Sequence, residues 1–308
     1  MRIKMISRAI LSLVLLSLMC QSQPGSSPHA ASVRLSGPAL PAPCHPDFYG
    51  VALAAFPACY DYWTKQNQVP VTLSQYETGG AIYLTGSFQK AGKRRAQWGM
   101  SQANFEKTNN SYIESGEGWR LDQVSVLTTE QGQFFAAIWV EDLKLAWKNH
   151  NEMGQDAFDK RFIVLNNEGW SMVDLASYRR RTILAGAPYQ AVKWSGTWVG
   201  GGDAVVYDGL TMDKFLAHDG KLTQQGYAIT RFITYRGDSR QGSQLLHAAI
   251  WRKSNVPRRM LPDMNQSQFQ EAYNKNATAG YRLYYINAFE DKVSAIWIKP
   301  TMIKVPGK

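Results

Sequence analysis

The sequence predicts an α+β protein made of five tandem helix–β-hairpin (αββ) units, stacked as a ring or as a short solenoid. Three observations carry this reading. A short motif ending in Trp recurs along the chain, and a Phe stands at a near-constant distance before a Gly-aromatic pair. After that pair, the apolar period changes from helical to alternating.

The Trp-ended pieces are FFAAIW at Trp139, YQAVKW at Trp194, LHAAIW at Trp251 and KVSAIW at Trp297, with a weaker KRRAQW at Trp98. Upstream, Phe105 precedes Gly118-Trp119, Phe158 precedes Gly169-Trp170, Phe215 precedes Gly226-Tyr227, and Phe269 precedes Gly280-Tyr281. In the last three the Phe-to-Gly step is 11 residues, and Phe56 to Asn67 repeats it with Asn in place of Gly. Nine residues further on stand Tyr76, Leu127, Tyr178, Tyr235 and Phe289. This register places the units at about 50–98, 99–139, 152–194, 209–251 and 263–297, within a single repeat domain over 50–300.

Each unit has the local chemistry of a helix followed by a hairpin. Five residues before each Phe is an apolar residue (Val51, Met100, Met153, Leu210, Met264), the spacing of a hydrophobic staple over a helix entrance. The residue after it, expected to cap the helix, is Ser101, Gly154, Thr211 or Asn265, with Ala52 a poor choice in the first unit. The Gly then ends the helix in a left-handed conformation, and the aromatic after it packs back. In YAITRFITY, Tyr227, Ile229, Ile233 and Tyr235 alternate with Ala228, Thr230 and Thr234, as a half-buried strand requires. A single such unit cannot bury both its helix and its hairpin, so neighbours must stack.

The chain has 10 Trp, 15 Tyr and 12 Phe, and the repeat accounts for them as packing residues. The predicted repeat core is Phe56 and Trp98; Phe105, Trp119 and Trp139; Phe158, Trp170 and Trp194; Phe215, Tyr227 and Trp251; and Phe269, Tyr281 and Trp297.

The motifs GWRL at 118–121, GYRL at 280–283, and AAIW at 136–139 and 248–251 resemble the tandem repeats that form the N-terminal part of polyglycine hydrolases. These are secreted enzymes related to serine β-lactamases. The resemblance covers roughly residues 50–298, and it is specific for the repeat rather than for an activity. It implies that chemistry in the family resides in a separate domain with a Ser-x-x-Lys nucleophile, a domain not expected within these 308 residues. Ser87-Phe88-Gln89-Lys90 matches that short pattern, as Tyr285-Ile286-Asn287 matches a second element. A working Ser-x-x-Lys opens a buried helix. Here the serine is expected in the long turn of the first unit and the Tyr-Ile-Asn triplet in a strand, so no catalytic residues are assigned.

Residues 1–22 read as a signal peptide: Arg2, Lys4 and Arg8 precede an apolar run that ends at Cys20. Secretion is the expectation, with lipid anchoring to the cell envelope through Cys20 as the alternative, although Ser17 and Met19 fit a lipobox poorly. A disordered leader is expected over 23–49 and a tail over 301–308, with no transmembrane span. Removing the three basic residues of the signal lowers the formal charge from +10 to +7. The remaining Cys44 and Cys59 are expected to form a disulfide closing a short loop. Five His without paired spacing give no metal site, and neither a cofactor nor a nucleic-acid signature is present.

Arg236-Gly237-Asp238-Ser239 spells a cell-adhesion tetrapeptide, yet it falls between two predicted strands and reads as a hairpin turn. Arg179 to Arg181 read as a basic loop at the same place in the third unit. The function expected is an exported, non-catalytic binding module for an extracellular or cell-envelope protein or polymer. The alternative is a secreted serine-type hydrolase or peptidase, implied only by the family resemblance.

Overall fold

The computed structural model of the chain describes residues 44–142 and 145–300. The signal peptide, Cys20, most of the leader and the tail lie outside the described residues. The first unit comprises β1 (Asp47–Ala52), α1 (Phe56–Lys65), β2 (Val69–Thr78) and β3 (Ala81–Gln89). The second comprises β4 (Arg94–Met100), α2 (Gln102–Glu114), β5 (Trp119–Thr129) and β6 (Gly132–Glu141). The third comprises β7 (Trp147–Met153), α3 (Gln155–Asn167), β8 (Trp170–Leu184) and β9 (Ala187–Gly200). The fourth comprises β10 (Val205–Leu210), α4 (Met212–Gln224), β11 (Tyr227–Arg236) and β12 (Leu245–Lys253). The fifth comprises β13 (Arg258–Met264), α5 (Gln266–Thr278), β14 (Arg282–Phe289) and β15 (Lys292–Ile298). Each unit is one three-stranded antiparallel sheet with its last strand in the middle.

The αββ unit expected from the sequence is therefore one strand short: the repeat is βαββ. The leading strands are short edge strands, and WKNHNEM and RRAQWGM show no two-residue alternation. In each, the residue just before the staple residue is left-handed: Gly50, Gly99, Glu152, Gly209 and Asp263, with φ between 50° and 70°. The register shifts at this point in all five sheets, turning the chain from strand into helix.

The leading strand also corrects two core assignments. Trp98 lies on β4, in the second sheet, and does not close the hairpin of the first unit. Its ring still packs edge-on to Phe56 at 4.6 Å. In the third unit Trp198, opposite Met172, takes the place that Trp139 takes opposite Leu121. Trp194 instead corresponds to Phe135: each stacks on its helix Phe, at 4.7 Å on Phe158 and 4.9 Å on Phe105. In the first unit the corresponding residues are Phe88 and Leu84.

The helix signals act as their chemistry requires. Ser101 Oγ accepts from Asn104 N, and Asn265 with Gln268 forms a full capping box. Gly154 and Thr211 stand at their caps without a side-chain bond. The first helix is the exception, beginning after Ala55 rather than after Ala52. The residue predicted to end each helix is left-handed at Asn67, Gly118, Gly169, Gly226 and Gly280. The aromatic that follows sits under a cation in four units: Trp119 under Arg95 at 4.2 Å, Trp170 under Lys148, Tyr227 under Lys253 and Tyr281 under Arg259. The Cys44–Cys59 disulfide forms and ties the start of the first unit to its helix.

The Ala-Ala-Ile-Trp motif is a middle strand buried on both faces. Phe135, Ala137 and Trp139 point into the core of their own unit, while Ala136 and Ile138 enter the core of the first unit. Likewise Ala249 and Trp251 face the fourth core, whereas Ala248 and Ile250 face the third. Ile296 enters the fourth core, and Ala176 enters the second. Tyr76 of the first unit enters the fifth core.

Polar side chains complete these junctions. The second strand of each unit is a sheet edge, so its outward N–H groups lack a strand partner. Leu73 N donates to Gln123 Oε1 at 3.0 Å, and Val124 N to Asp174 Oδ2 at 2.8 Å. Thr234 N donates to Asn287 Oδ1, while Ile286 N and Ala288 N donate to Thr72 Oγ1 and Ser74 Oγ at 3.0 and 2.9 Å. Between the third and fourth units Arg231 Nε meets Asp174 Oδ1 at 2.9 Å. Asp174 is fully buried, and burial pushes its carboxyl up to about 7 against the pull of Arg231.

Two measurements check this account. Trp251 is fully buried and its Nε1 donates to Asp219 at 2.7 Å, so Trp251→Ala is expected to cost about 3–5 kcal/mol in urea unfolding. His247 is 2 % exposed and stacked on Phe232, and burial lowers its pKa below the ordinary 6.5. The folded state thus holds the neutral ring, whereas the unfolded chain takes up a proton near 6.5. Its stabilisation is whole above that pH and declines as pH falls below it. The urea midpoint of wild type should drop more between pH 7.5 and pH 5 than that of His247→Phe, which places at this position the residue type found at Phe135; parallel profiles would refute the assignment.

Candidate functional site

One cavity of about 490 Å³ is lined by all five units. It sits at the C-terminal ends of β2, β5, β11 and β14 and at the middle of the longer β8, and equivalent strand positions build it each time. Tyr76, Leu127, Tyr178, Tyr235 and Phe289, which share one register in the sequence, all line it. The sequence identifies these five as equivalent but does not bring them together, because convergence is a property of the stacked units.

The wall is apolar at its rings and polar between them. The three tyrosines are nearly buried, and their hydroxyls are held within the protein. Tyr178 Oη donates to Glu152 Oε1 at 2.6 Å, and Tyr235 Oη accepts from Gly209 N at 3.0 Å. Tyr76 pairs with Tyr49. Burial raises the pKa of all three phenols, so they stay neutral. Between the rings lie buried polar atoms without a hydrogen-bond partner: Gln75 Oε1, Ser177 Oγ, Arg179 Nε and Gln190 Oε1. Such groups cost free energy when left dry, and a ligand or water can satisfy them.

At the rim, Arg236 forms a two-pronged pair with Glu290 at 2.7 and 3.1 Å. Arg179 Nη2 reaches Ser243 Oγ at 3.3 Å. The third unit extends beyond this wall in a long hairpin, β8 to β9, that turns at Ala185-Gly186 and touches the turn of the fourth unit through Tyr189 and Gln190. Arg179 to Arg181, expected in a loop, therefore lie on a strand. The arm carries Ile183 and Leu184 exposed near its tip.

The other motifs resolve locally. In Arg236-Gly237-Asp238-Ser239 both charges are already engaged: Arg236 by Glu290, and Asp238 by the backbone and guanidinium of Arg240 at 2.9 to 3.1 Å. Gly237 N donates to Gln244 O, and a 3₁₀ turn follows over Ser239–Gln241. The segment is a turn whose charges are paired with neighbouring side chains at the surface. Ser87 is not in a turn but within β3, fully buried, with its Oγ donating to the Asp47 carboxylate. It occupies the middle-strand position held by Ile138, Ile250 and Ile296 in other units. Tyr285-Ile286-Asn287 lies on β14 as expected. Among the described residues no group of three or more His, Cys, Asp or Glu side chains is placed to hold a metal, and no helix is long and apolar enough to cross a membrane.

A search of curated proteins found no match. The family model described as polyglycine hydrolase-like, structural repeat, matches residues 48–91, 92–142, 201–254 and 257–300. These segments coincide with the first, second, fourth and fifth βαββ units, and residues 147–200 between them fold into the same sheet-and-helix unit. Matched over more than half of its length, the chain belongs to the polyglycine hydrolase-like structural repeat family.

Proposed function

We propose that the protein is an exported, non-catalytic binding module whose five units close into a ring around the cavity described above. The observation that carries this reading is that single cavity, built from one strand position repeated five times, with buried polar atoms left open between aromatic walls. Closure is supported by contacts between the last unit and the first. Ile286 and Ala288 donate to Thr72 and Ser74, Gln89 Nε2 donates to Leu283 O at 2.6 Å, and Tyr49 reaches Asp291 O. Joining the ends in this way removes the bare terminal faces that an open array must cap.

Export is supported by the basic and apolar N-terminal run and by the Cys44–Cys59 bond. The partner is accordingly an extracellular or cell-envelope protein or polymer, and lipid anchoring through Cys20 is the alternative to release. A binding role is favoured over hydrolysis because Ser87 is a buried strand residue in an isoleucine position, remote in geometry from a helix-borne nucleophile.

The test is a binding screen of the mature protein against peptide, glycan and isolated cell-wall panels, repeated with Ser177→Trp. The indole enters the cavity from its wall and is expected to weaken binding at least about tenfold, at an unchanged unfolding midpoint. Retention of full affinity by Ser177→Trp, or covalent labelling of Ser87 by a serine-reactive probe, would remove the basis for this function.

A further inference from the structure

The same five strands carry a second feature at their opposite ends. Each has a one-residue bulge near its start, at Val71, Asp122, Val173, Thr230 and Tyr284. The last four of these line a cavity of about 290 Å³. Around it stand Arg120, Arg231, Arg252, Lys253 and Arg258, against the carboxylates of Asp122 and Asp203.

Much of this charge is compensated inside the protein. Arg94 and Arg120 hold Asp122, at 2.6 and 3.4 Å, and Arg231 holds Asp174. Burial works against the Asp122 carboxylate, but Arg94, Arg231 and Arg120 together keep it below the ordinary 3.8. What remains is an excess of cations. Arg258 gives Nη1 to Ile229 O at 3.1 Å and lies over the Tyr284 ring at 4.7 Å, while its buried Nε has no partner. Among the described residues, the Arg252 guanidinium forms neither an ion pair nor a hydrogen bond. The phenol of Tyr284, disfavoured as an anion by burial, is nevertheless brought below its ordinary 10.0 by Arg231 and Arg258, which reports a positive potential in the cavity.

We propose that this cavity binds a tetrahedral oxyanion, a phosphate or sulfate group, with Arg258 and Arg252 as its principal ligands. A guanidinium anchored over an aromatic ring is restricted in direction and can present its free N–H groups as donors suited to such an anion. The Tyr284 hydroxyl adds a neutral donor at the same wall, and Lys253 adds long-range charge. Asp203 is exposed and lies at the edge, where it opposes binding without blocking it. This site is independent of what occupies the first cavity.

Calorimetric titration of the full mature protein with inorganic phosphate, inorganic sulfate and glucose 6-phosphate, against chloride at equal ionic strength, tests the assignment. Saturable binding of at least one probe is expected, weakened at least about tenfold in Arg258→Ala and in Arg252→Ala. Arg258→Lys, which keeps the charge but loses the fork, should fall between, and Lys160→Ala, at an exposed position of α3 outside both cavities, should match wild type. Binding of the ester as well as free phosphate would identify a group carried on a larger molecule, and binding of inorganic ions alone would identify the free ion; either supports the site. No saturable binding, or binding indifferent to both arginine variants, would overturn it. Unfolding midpoints without ligand separate loss of the site from loss of the fold.

Discussion

The structure depends on how five sheet edges are satisfied away from water. The second strand of every unit has one side hydrogen-bonded within its sheet and the other turned toward neighbouring units. A buried N–H without a partner costs about 1–3 kcal/mol, so an edge packed against another edge is costly unless something accepts from it. Here side chains do so: Gln123, Asp174, Asn287, Thr72 and Ser74 each accept from the backbone of an adjacent unit. A continuous sheet between units would give the same hydrogen bonds. It would also require the units to share one twist and would leave no room for helices between them. Side-chain acceptors let each sheet tilt independently, and this is why the interior holds buried Thr, Ser, Gln and Asp among its aromatics.

Once the edges are held together, the middle strands have neighbours on both faces, and their composition follows. One face meets its own helix through a large ring and a small residue, and the other meets the adjoining unit through another small residue and an isoleucine. Two middle-strand glycines are required by their own sheets: at Gly86 a Cβ would fall 2.3 Å from the Thr72 carbonyl on the adjacent strand, and at Gly196 it would meet the Trp198 ring of the same strand. Ala-Ala-Ile-Trp is thus the record of a strand packed on both faces, and in Trp-Ser-Gly-Thr-Trp of the third unit the Gly makes room for the Trp198 ring.

Both cavities are arranged along the same strands. Toward their ends, positions that are core in register become wall, and the side chains between them are free to differ among units because no repeat contact constrains them. At the C-terminal ends this freedom yields an aromatic cavity with open polar atoms. At the N-terminal ends, where bulges turn side chains outward, it yields a cluster of arginines. A repeated scaffold therefore offers two chemically distinct surfaces without adding an element.

The sequence by itself determined the repeat, its count of five, and its helices and hairpins, because staples, helix-ending glycines and strand alternation act within a few residues of one another. The leading strands escaped it. An edge strand of six or seven residues with one lone apolar end, such as WKNHNEM, has no periodicity to read, and that omission displaced Trp98, whereas Trp194 stands in for Trp198 in the sequence pattern because β9 carries both. Ser87 looked available in sequence and is sealed in a strand, because solvent access depends on which unit lies opposite. Tertiary structure alone decided where residues more than two hundred positions apart meet, as Thr72 meets Ile286. Local chemistry specifies each block, whereas the meeting of blocks depends on edge groups and faces whose partners lie far away along the chain.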